Sequence, residues 1–503
     1  MLKQTRTLAS LPARRYTVVH MRDLAWVFLG AAAAILAWQL ILPPVTGLAD
    51  NGDFGKVIGR FGLEAPVHRT YEYADTVYFF HPEHRWVSGF RSTEIPLAQA
   101  AIWLNALLSK DGSFDLRAIG IVHAALFLWA LWLFAQLLAP APRFVRWMVL
   151  VLTLLIFCDM MYVVPLNSFY MDEAAYLFLL LTAVLLLRVM KWHRRVDAVL
   201  LLLCASLLTA SKGQHAMLGF WIAIVFLVCA NSLAPIRPVY WRSAAGGLVL
   251  LAVLVLWKGH PAEYPLYSLY NVTFERVLPH QRDLSAALRD LGLDDSYRLC
   301  IGKKAYLPGS GMDDAAFVER FGRRYSFGRL ALFYARHPHE AYWTLRYGLS
   351  EAGRQHDFGN FDIATGYKPF TQSRAFTIWS DCKRHVFDKR GSVMVFAFLG
   401  LGMLLGVLLR VQSPRLPGGA MTAGLCLIAS AVTEMLVATM GDSMDTTRHA
   451  MLFFALFDMI VLGCVWLAAD AAYTGWSEHF RRPLAHAARL QPLGLGRAAR
   501  SRG

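Results

Sequence analysis

The chain has 503 residues, of which 56% are hydrophobic and only 17% charged, and its mean hydropathy is +0.40. Soluble domains carry about 25% charged residues, so this composition excludes an ordinary soluble protein and points to the membrane. The formal charge of +15 does not mark a nucleic-acid binder, because much of the excess sits between apolar runs and at the termini, as the positive-inside rule describes.

Ten apolar runs reach or approach the ~20 residues that cross a ~30 Å hydrocarbon core. They lie at 24–43, 118–138, 144–165, 173–190, 196–211, 215–231, 243–258, 392–410, 420–440 and 449–472. The fold expected is an all-α polytopic membrane protein with about ten spans. A basic N-terminus (Lys3, Arg6, Arg14, Arg15, Arg22) precedes the first run, and no small-residue cleavage site follows it. It reads as a retained helix. With the N-terminus inside, the inside segments carry Arg143 and Arg146; Arg188, Lys191, Arg194 and Arg195; Arg237 and Arg242; Arg410 and Arg415; and the tail from Arg481.

The first outside loop, 44–117, opens on "GLADNGDFGKVIGRFGL" (47–63). Asp50 and Asp53 suit either a cap for a helix over 54–63 or a general base just outside the membrane. On the second reading, partial desolvation raises the carboxyl pKa. Gly52 lets backbone approach a substrate closely. Further along, "TVYFFHPEHRW" (76–86) is an aqueous-side path for an acceptor. Residues 97–108, "LAQAAIWLNALL", are too short to span comfortably and read as an interfacial helix with Leu97, Ala101, Leu104 and Leu108 on one face.

The remaining outside segments carry the other chemistry. "NSFYMDEA" (167–174) offers Asn167, Ser168, Tyr170 and the pair Asp172 and Glu173. These suit sugar hydroxyls or a divalent cation, and equally a helix N-terminus that favours acids. "SKGQH" (211–215) holds Lys212 and His215, and a lysine there also snorkels by default. "GDSMDTTRH" (441–449) holds Asp442, Asp445, Arg448 and His449, where a guanidinium at a helix start suits a phosphate. Glu434 is an intramembrane acid and hence a functional candidate, with Asp159 and Asp458 weaker ones.

Four parts follow: a membrane module over 1–258, an extracytoplasmic domain over 259–391, C-terminal spans over 392–472 and a basic cytoplasmic tail over 473–503. In the second, 283–293 and 327–353 read as amphipathic helices, with a break at His337-Pro338. Five cysteines sit in apolar runs as packing residues. Cys300 and Cys382 share the outside block and are candidates for a disulfide. There is no P-loop, GxGxxG, HExxH or GxSxG, so no cofactor is indicated beyond the divalent cation already named.

Two acidic clusters and two basic points on one face, with the acid directly after the first helix, resemble the GT-C superfamily of integral-membrane glycosyltransferases. More narrowly, "DNGDF…GL", "NVTFERVLPH…LRDLGL" (271–293) and "FYARHP" (333–338) resemble bacterial hexosyltransferases of surface-glycan synthesis. The resemblance implies an inverting transfer of a monosaccharide from a polyprenyl-phosphate donor to a glycan or lipid-linked acceptor. It also implies a first-loop Asp as base, and a multi-pass protein of the bacterial inner membrane whose active site faces the periplasm. The family often shows an acidic doublet where this chain spaces its two Asp by two residues, so Asp50 and Asp53 both stand as the base. Lys212, His215, Glu434, Arg448 and His449, with Asp172, Glu173 and Asn167, are the expected substrate contacts; membrane lipid is a partner and nucleic acid is not. Two alternatives remain. An O-antigen-type polymerase or ligase would use Arg346, Arg354 and His356, and a lipid-linked glycan transporter would line a path across the bilayer with ionisable groups.

Overall fold

A computed structural model describes residues 13–66, 70–352 and 357–489. The protein is mostly helical. The helices are α1 (Ala13–Leu40), α2 (Gly55–Ile58), α3 (Glu94–Leu108), α4 (Arg117–Leu137), α5 (Arg143–Phe157), α6 (Met160–Val163) and α7 (Met171–Trp192). Then come α8 (Arg195–Thr209), α9 (Leu218–Val228), α10 (Pro238–Lys258), α11 (Tyr264–Asn271), α12 (Leu284–Leu291), α13 (Ala315–Arg324) and α14 (Phe327–Arg336). The last six are α15 (Pro338–Ala352), α16 (Ile378–Phe387), α17 (Gly391–Val411), α18 (Ala420–Met440), α19 (Thr446–His449) and α20 (Met451–Arg489).

Each of the ten apolar runs lies on a helix, but not all have the length of a span. Among the described residues, six helices are long and apolar enough to cross a membrane: α4, α7, α10, α17, α18 and the first part of α20. A seventh candidate is α5 joined to 160–166, bent by 59°. The bend has a residue-level cause. Asp159 leaves the helical region and caps the next turn, its Oδ1 accepting the Met161 N–H at 3.1 Å, and Pro165 follows. Leu24–Leu40 and Gly213–Val228 are apolar but shorter, and α8 has only 15 residues. One apolar core runs through these helices. α7 is buried on nearly all sides, as befits a helix apolar all round.

Helix α3, expected to lie at the membrane interface, presents a different face from the one its apolar spacing suggested. Glu94, Ala98, Ala101 and Asn105 turn inward, while Trp103, Leu107 and Leu108 are exposed. In water that would be inside-out. Against lipid it is the favourable arrangement, because tails accept Trp and Leu and the protein interior supplies polar partners. His123 of α4 is that partner for Glu94, with Nε2–Oε1 at 3.1 Å, and Asn105 Nδ2 donates to Ser113 O at 2.7 Å.

The long loop between α1 and α4 also carries a small antiparallel sheet that the all-α reading did not contain. β1 (Leu63–Glu64) pairs with β2 (Val77–Phe80), and β2 with β3 (Ser113–Asp115). Beyond α10, residues 269–334 gather their own apolar core around Tyr270, Phe274 and Phe321. The expected amphipathic helices are there as α12, α14 and α15, and the last two break at His337-Pro338. The chain then returns over the first loop. Thr46 bridges Phe361, and Ala49 N–H donates to Gly359 O at 3.0 Å. Gly359 is required there, since a Cβ would lie 1.9 Å from Glu72 O. Next, α16 is tied to the membrane core through Lys383 Nζ, 2.8 Å from Asp458 Oδ2. Trp379 and Ser380 N–H both donate to Asp159 Oδ2 at 2.9 Å. The two intramembrane acids Asp159 and Asp458 therefore serve as anchors for α16.

The disulfide expectation is overturned. Cys300 and Cys382 are both free thiols. Cys300 is buried in the apolar core of residues 269–334, 3.7 Å from Ser310 O, whereas Cys382 is exposed on α16. With the 259–391 block outside, a membrane-impermeant maleimide is expected to label Cys382 in intact cells without reductant and to leave Cys300 unlabelled. Labelling of Cys382 only after the membrane is opened would reverse the orientation.

Candidate functional site

The motif after α1 folds as a turn closed by its own side chains. Asp50 Oδ1 accepts the N–H groups of Gly52 at 2.8 Å and Phe54 at 3.1 Å. Asn51 Oδ1 accepts the Asp53 N–H at 3.0 Å. Gly52 has φ of +99°, a region open to glycine and costly for other residues. Asp50 is thereby committed to holding the turn. Asp53 is turned outward, its side chain 21% exposed, and α2 with its 3-10 extension to Phe61 begins immediately after it.

Arg448 is the hub that joins the separate segments. Its Nη2 lies 3.0 Å from Asp53 Oδ2 and 3.4 Å from Asp445 Oδ2, and its Nη1 lies 3.3 Å from Asp172 Oδ2. The guanidinium stacks over the Tyr170 ring at 4.5 Å. Tyr170 Oη in turn accepts Asn51 N–H at 3.0 Å and donates to Ala49 O at 2.7 Å. Asp445, with φ of +45°, is the N-cap residue of α19; it accepts hydrogen bonds from Asn51 Nδ2 and Tyr71 Oη. The loop carrying it is fixed from α11 and the turns that follow it: Ser268 Oγ donates to Asp442 at 2.7 Å and Arg276 Nη2 to Ser443 O at 3.0 Å.

A second layer lies beneath. Lys212 Nζ reaches both oxygens of Asp172, at 2.8 and 3.0 Å. His215 bridges Asp172 (3.1 Å from Nε2) and Glu434 (2.9 Å from Nδ1). Four segments at least 40 residues apart thus converge on one polar cluster. Its outer edge is Lys56, 2.5 Å from Asp53 and packed over the rings of Phe90 at 4.9 Å and Tyr264 at 4.7 Å. Lys56 was not singled out in the sequence. Its three-residue spacing from Asp53 on a helical turn was the available signal.

Electrostatics corrects one expectation. Burial alone raises the Asp53 pKa, but Arg448 and then Lys56 outweigh it and hold the carboxyl well below the usual carboxylate range. In this state Asp53 is an ion-pair partner and a weak proton acceptor. His449 shifts in the direction set by burial and by the charges of Lys212 and Arg448, well below the usual imidazole range. A neutral His449 suits its contact, since its Nε2 lies 3.1 Å from Arg448 Nη2 and accepts that N–H.

Of the ten residues expected as the base or as substrate contacts, Asp53, Asp172, Lys212, His215, Glu434, Arg448 and His449 form this cluster. Asp50 braces it. Asn167 and Glu173 stand apart. Asn167 Nδ2 donates to Leu40 O at 2.9 Å and Thr46 O at 2.7 Å, so it clamps the end of α1 to the loop. Asn167→Ala is expected to cost about 1–3 kcal/mol by leaving those carbonyls unpaired. A lower Tm with an unchanged dependence on donor concentration is the check. Glu173 is fully buried behind Asp172, and neither carboxylate oxygen has a hydrogen-bond partner among the described residues. Of the groups named for a polymerase or ligase, Arg346 lies on α15, and Arg354 and His356 lie outside the described residues.

As for the divalent cation expected at Asp172 and Glu173, Asp172 is already engaged by Arg448, Lys212 and His215, and Asp53 by Arg448 and Lys56. The cluster is nearly charge-balanced by its own residues.

A family model described as the YfdI N-terminal transmembrane domain matches residues 15–482. No curated protein and no solved structure matches the chain.

Proposed function

The chain belongs to the YfdI N-terminal transmembrane domain family, and from its own sequence motifs and the geometry around Arg448 we propose that it is an integral-membrane glycosyltransferase. It moves a monosaccharide from a polyprenyl-phosphate donor to an extracytoplasmic glycan or lipid-linked acceptor. The architecture in this reading is GT-C-like. In this reading the long apolar helices cross the bacterial inner membrane, the N-terminus is inside, and the site faces the periplasm. The observation that carries the proposal is the Arg448 hub, which joins the first-loop Asp53 to Asp172 and, through Asp172, to Lys212.

The chemistry follows from that geometry. An anionic phosphate entering beside Arg448 and Lys212 competes with Asp53 for the guanidinium. As Arg448 turns to the phosphate, Asp53 loses a partner that depresses its pKa and becomes a better proton acceptor. The acceptor hydroxyl then attacks the anomeric carbon as its proton passes to Asp53, and the C1–O bond to phosphate breaks with inversion. The bond electrons leave on the phosphate, where Arg448 and Lys212 stabilise the added charge. A phosphate is already a good leaving group, so no strong general acid is required. His449, kept neutral, accepts from Arg448 and does not add a further cation.

The test is reconstitution. Purified protein in liposomes, given a polyprenyl-phosphate hexose and membrane acceptor, is expected to release polyprenyl phosphate and form the glycoside with inverted anomeric configuration. Movement of intact donor across the bilayer without cleavage would replace this reading with the transporter.

A further inference from the structure

We propose a divalent transition-metal site of the Zn(II) type on the rim of the first loop, formed by His81, Glu83 and His84. It stands apart from the Arg448 cluster and goes beyond the glycosyltransferase reading. One ligand atom from each of the three residues lies within 4.8 Å of the other two. A tetrahedral zinc with bonds of about 2.0–2.2 Å holds its ligands roughly 3.3–3.6 Å apart. The difference is at most about 1.5 Å and is within reach of side-chain rotation on a fixed backbone.

The backbone at this place is fixed. Pro82 begins a 3-10 turn over Pro82–His84. His81 N–H donates to Gly62 O at 2.6 Å and Trp86 N–H to Gly59 O at 3.1 Å. Gly62 has φ of +66°, and a Cβ there would meet His81 O at 2.3 Å. The two imidazoles stack with centroids 5.3 Å apart and planes 22° from parallel, so both rings already share one side of the turn. Glu64 on β1 holds His84 Nδ1 at 3.0 Å. That is the carboxylate–imidazole contact that orients metal-bound histidines and raises their basicity. Two imidazoles and a carboxylate with an open fourth position suit a borderline cation better than the harder calcium or magnesium.

The site's position gives it a consequence. The Trp86 indole packs on the helix after Asp53 so closely that a Cβ on Gly59 would fall 2.4 Å from its Nε1. A metal that locks residues 81–84 therefore stiffens the wall over α2, on the side from which an acceptor would arrive.

The experiment is calorimetric titration of ZnCl2 into the purified, detergent-solubilised full chain. Wild type is expected to bind one zinc at this site. His84→Ala, and the double change His81→Ala with His84→Ala, are expected to weaken that binding by at least tenfold, and Glu64→Gln by about 10- to 100-fold. His339→Ala, at another exposed histidine, is expected to change nothing. All four side chains are on the surface, and an unchanged Tm confirms folding. A double variant that still takes up one zinc with wild-type affinity would overturn the site, as would a wild type that takes up none. The readout is bound metal, so it stands or falls independently of sugar transfer.

Discussion

Asp53→Asn is expected to lower sugar transfer by about 10²–10⁴, the value of one general base, while the protein stays inserted and folded. The geometry explains why folding survives. Arg448 keeps Asp172 and Asp445 when the Asp53 charge is removed. The amide also keeps the size of the side chain, and the turn's backbone is held by Asp50 and Asn51. Donor binding is expected to be kept or improved, because a competitor for Arg448 has gone. Asp50→Asn is the contrasting variant. It weakens the turn that presents Asp53 and is expected to reduce transfer less than Asp53→Asn and Tm more. Single-turnover transfer with saturating donor, with Tm and membrane yield as controls, distinguishes the two. Near-normal transfer in Asp53→Asn with loss in Asp50→Asn would move the base to Asp50.

Arg448→Ala is expected to have the other large effect, of a different kind. It leaves Asp53, Asp172 and Asp445 without their shared cation. Removing one partner of a buried ion pair costs about 3–5 kcal/mol, so a lower Tm is expected. Transfer is expected to fall about 10²–10³-fold, as when one stabiliser of developing charge is lost. Arg448→Lys separates the two consequences. An ammonium restores the charge, and with it most of the Tm, but it cannot reach Asp53 and Asp172 with a planar fork. At least one charge-assisted hydrogen bond is lost, about 1.5–3 kcal/mol, so transfer is expected to drop tenfold or more, with most of the loss in donor KM. Unchanged donor dependence in both variants would reduce Arg448 to an ion-pair partner.

What could be read from the chain and what could not follow from different physics. Apolar runs identify helices because burial of side chains sets their length, and all ten runs are helical. Their spanning is a separate matter: the bend at Asp159 and the short helices 195–209 and 213–228 depend on capping and turns that hydropathy does not register. The convergence of 50–53, 167–173, 211–215 and 441–449 was legible from topology alone, since alternation puts all of them on one face. Their pairing was not. Nothing local says that Arg448 meets Asp53 across 395 residues, or that His215 rather than a lysine takes Glu434. The expectation of a raised Asp53 pKa failed for the same reason, because desolvation can be anticipated from position and two nearby cations cannot. The inward face of α3 was missed because only the apolar spacing of Leu97, Ala101, Leu104 and Leu108 was read, and the polar residues Glu94 and Asn105 that turn inward leave no mark in that spacing. Asn167 looked like a sugar ligand from its neighbours, but its amide closes the backbone between Leu40 and Thr46.

The exchange of partners at Arg448 is the centre of the proposed mechanism, and a structure of the Asp53→Asn protein with bound polyprenyl-phosphate hexose tests it most directly. The account predicts the donor phosphate within hydrogen-bonding distance of the Arg448 guanidinium and of Lys212 Nζ, and residue 53 released from Arg448 and facing the anomeric carbon. A phosphate bound elsewhere, with Arg448 still paired to residue 53 and Asp172 as in the donor-free protein, would contradict it.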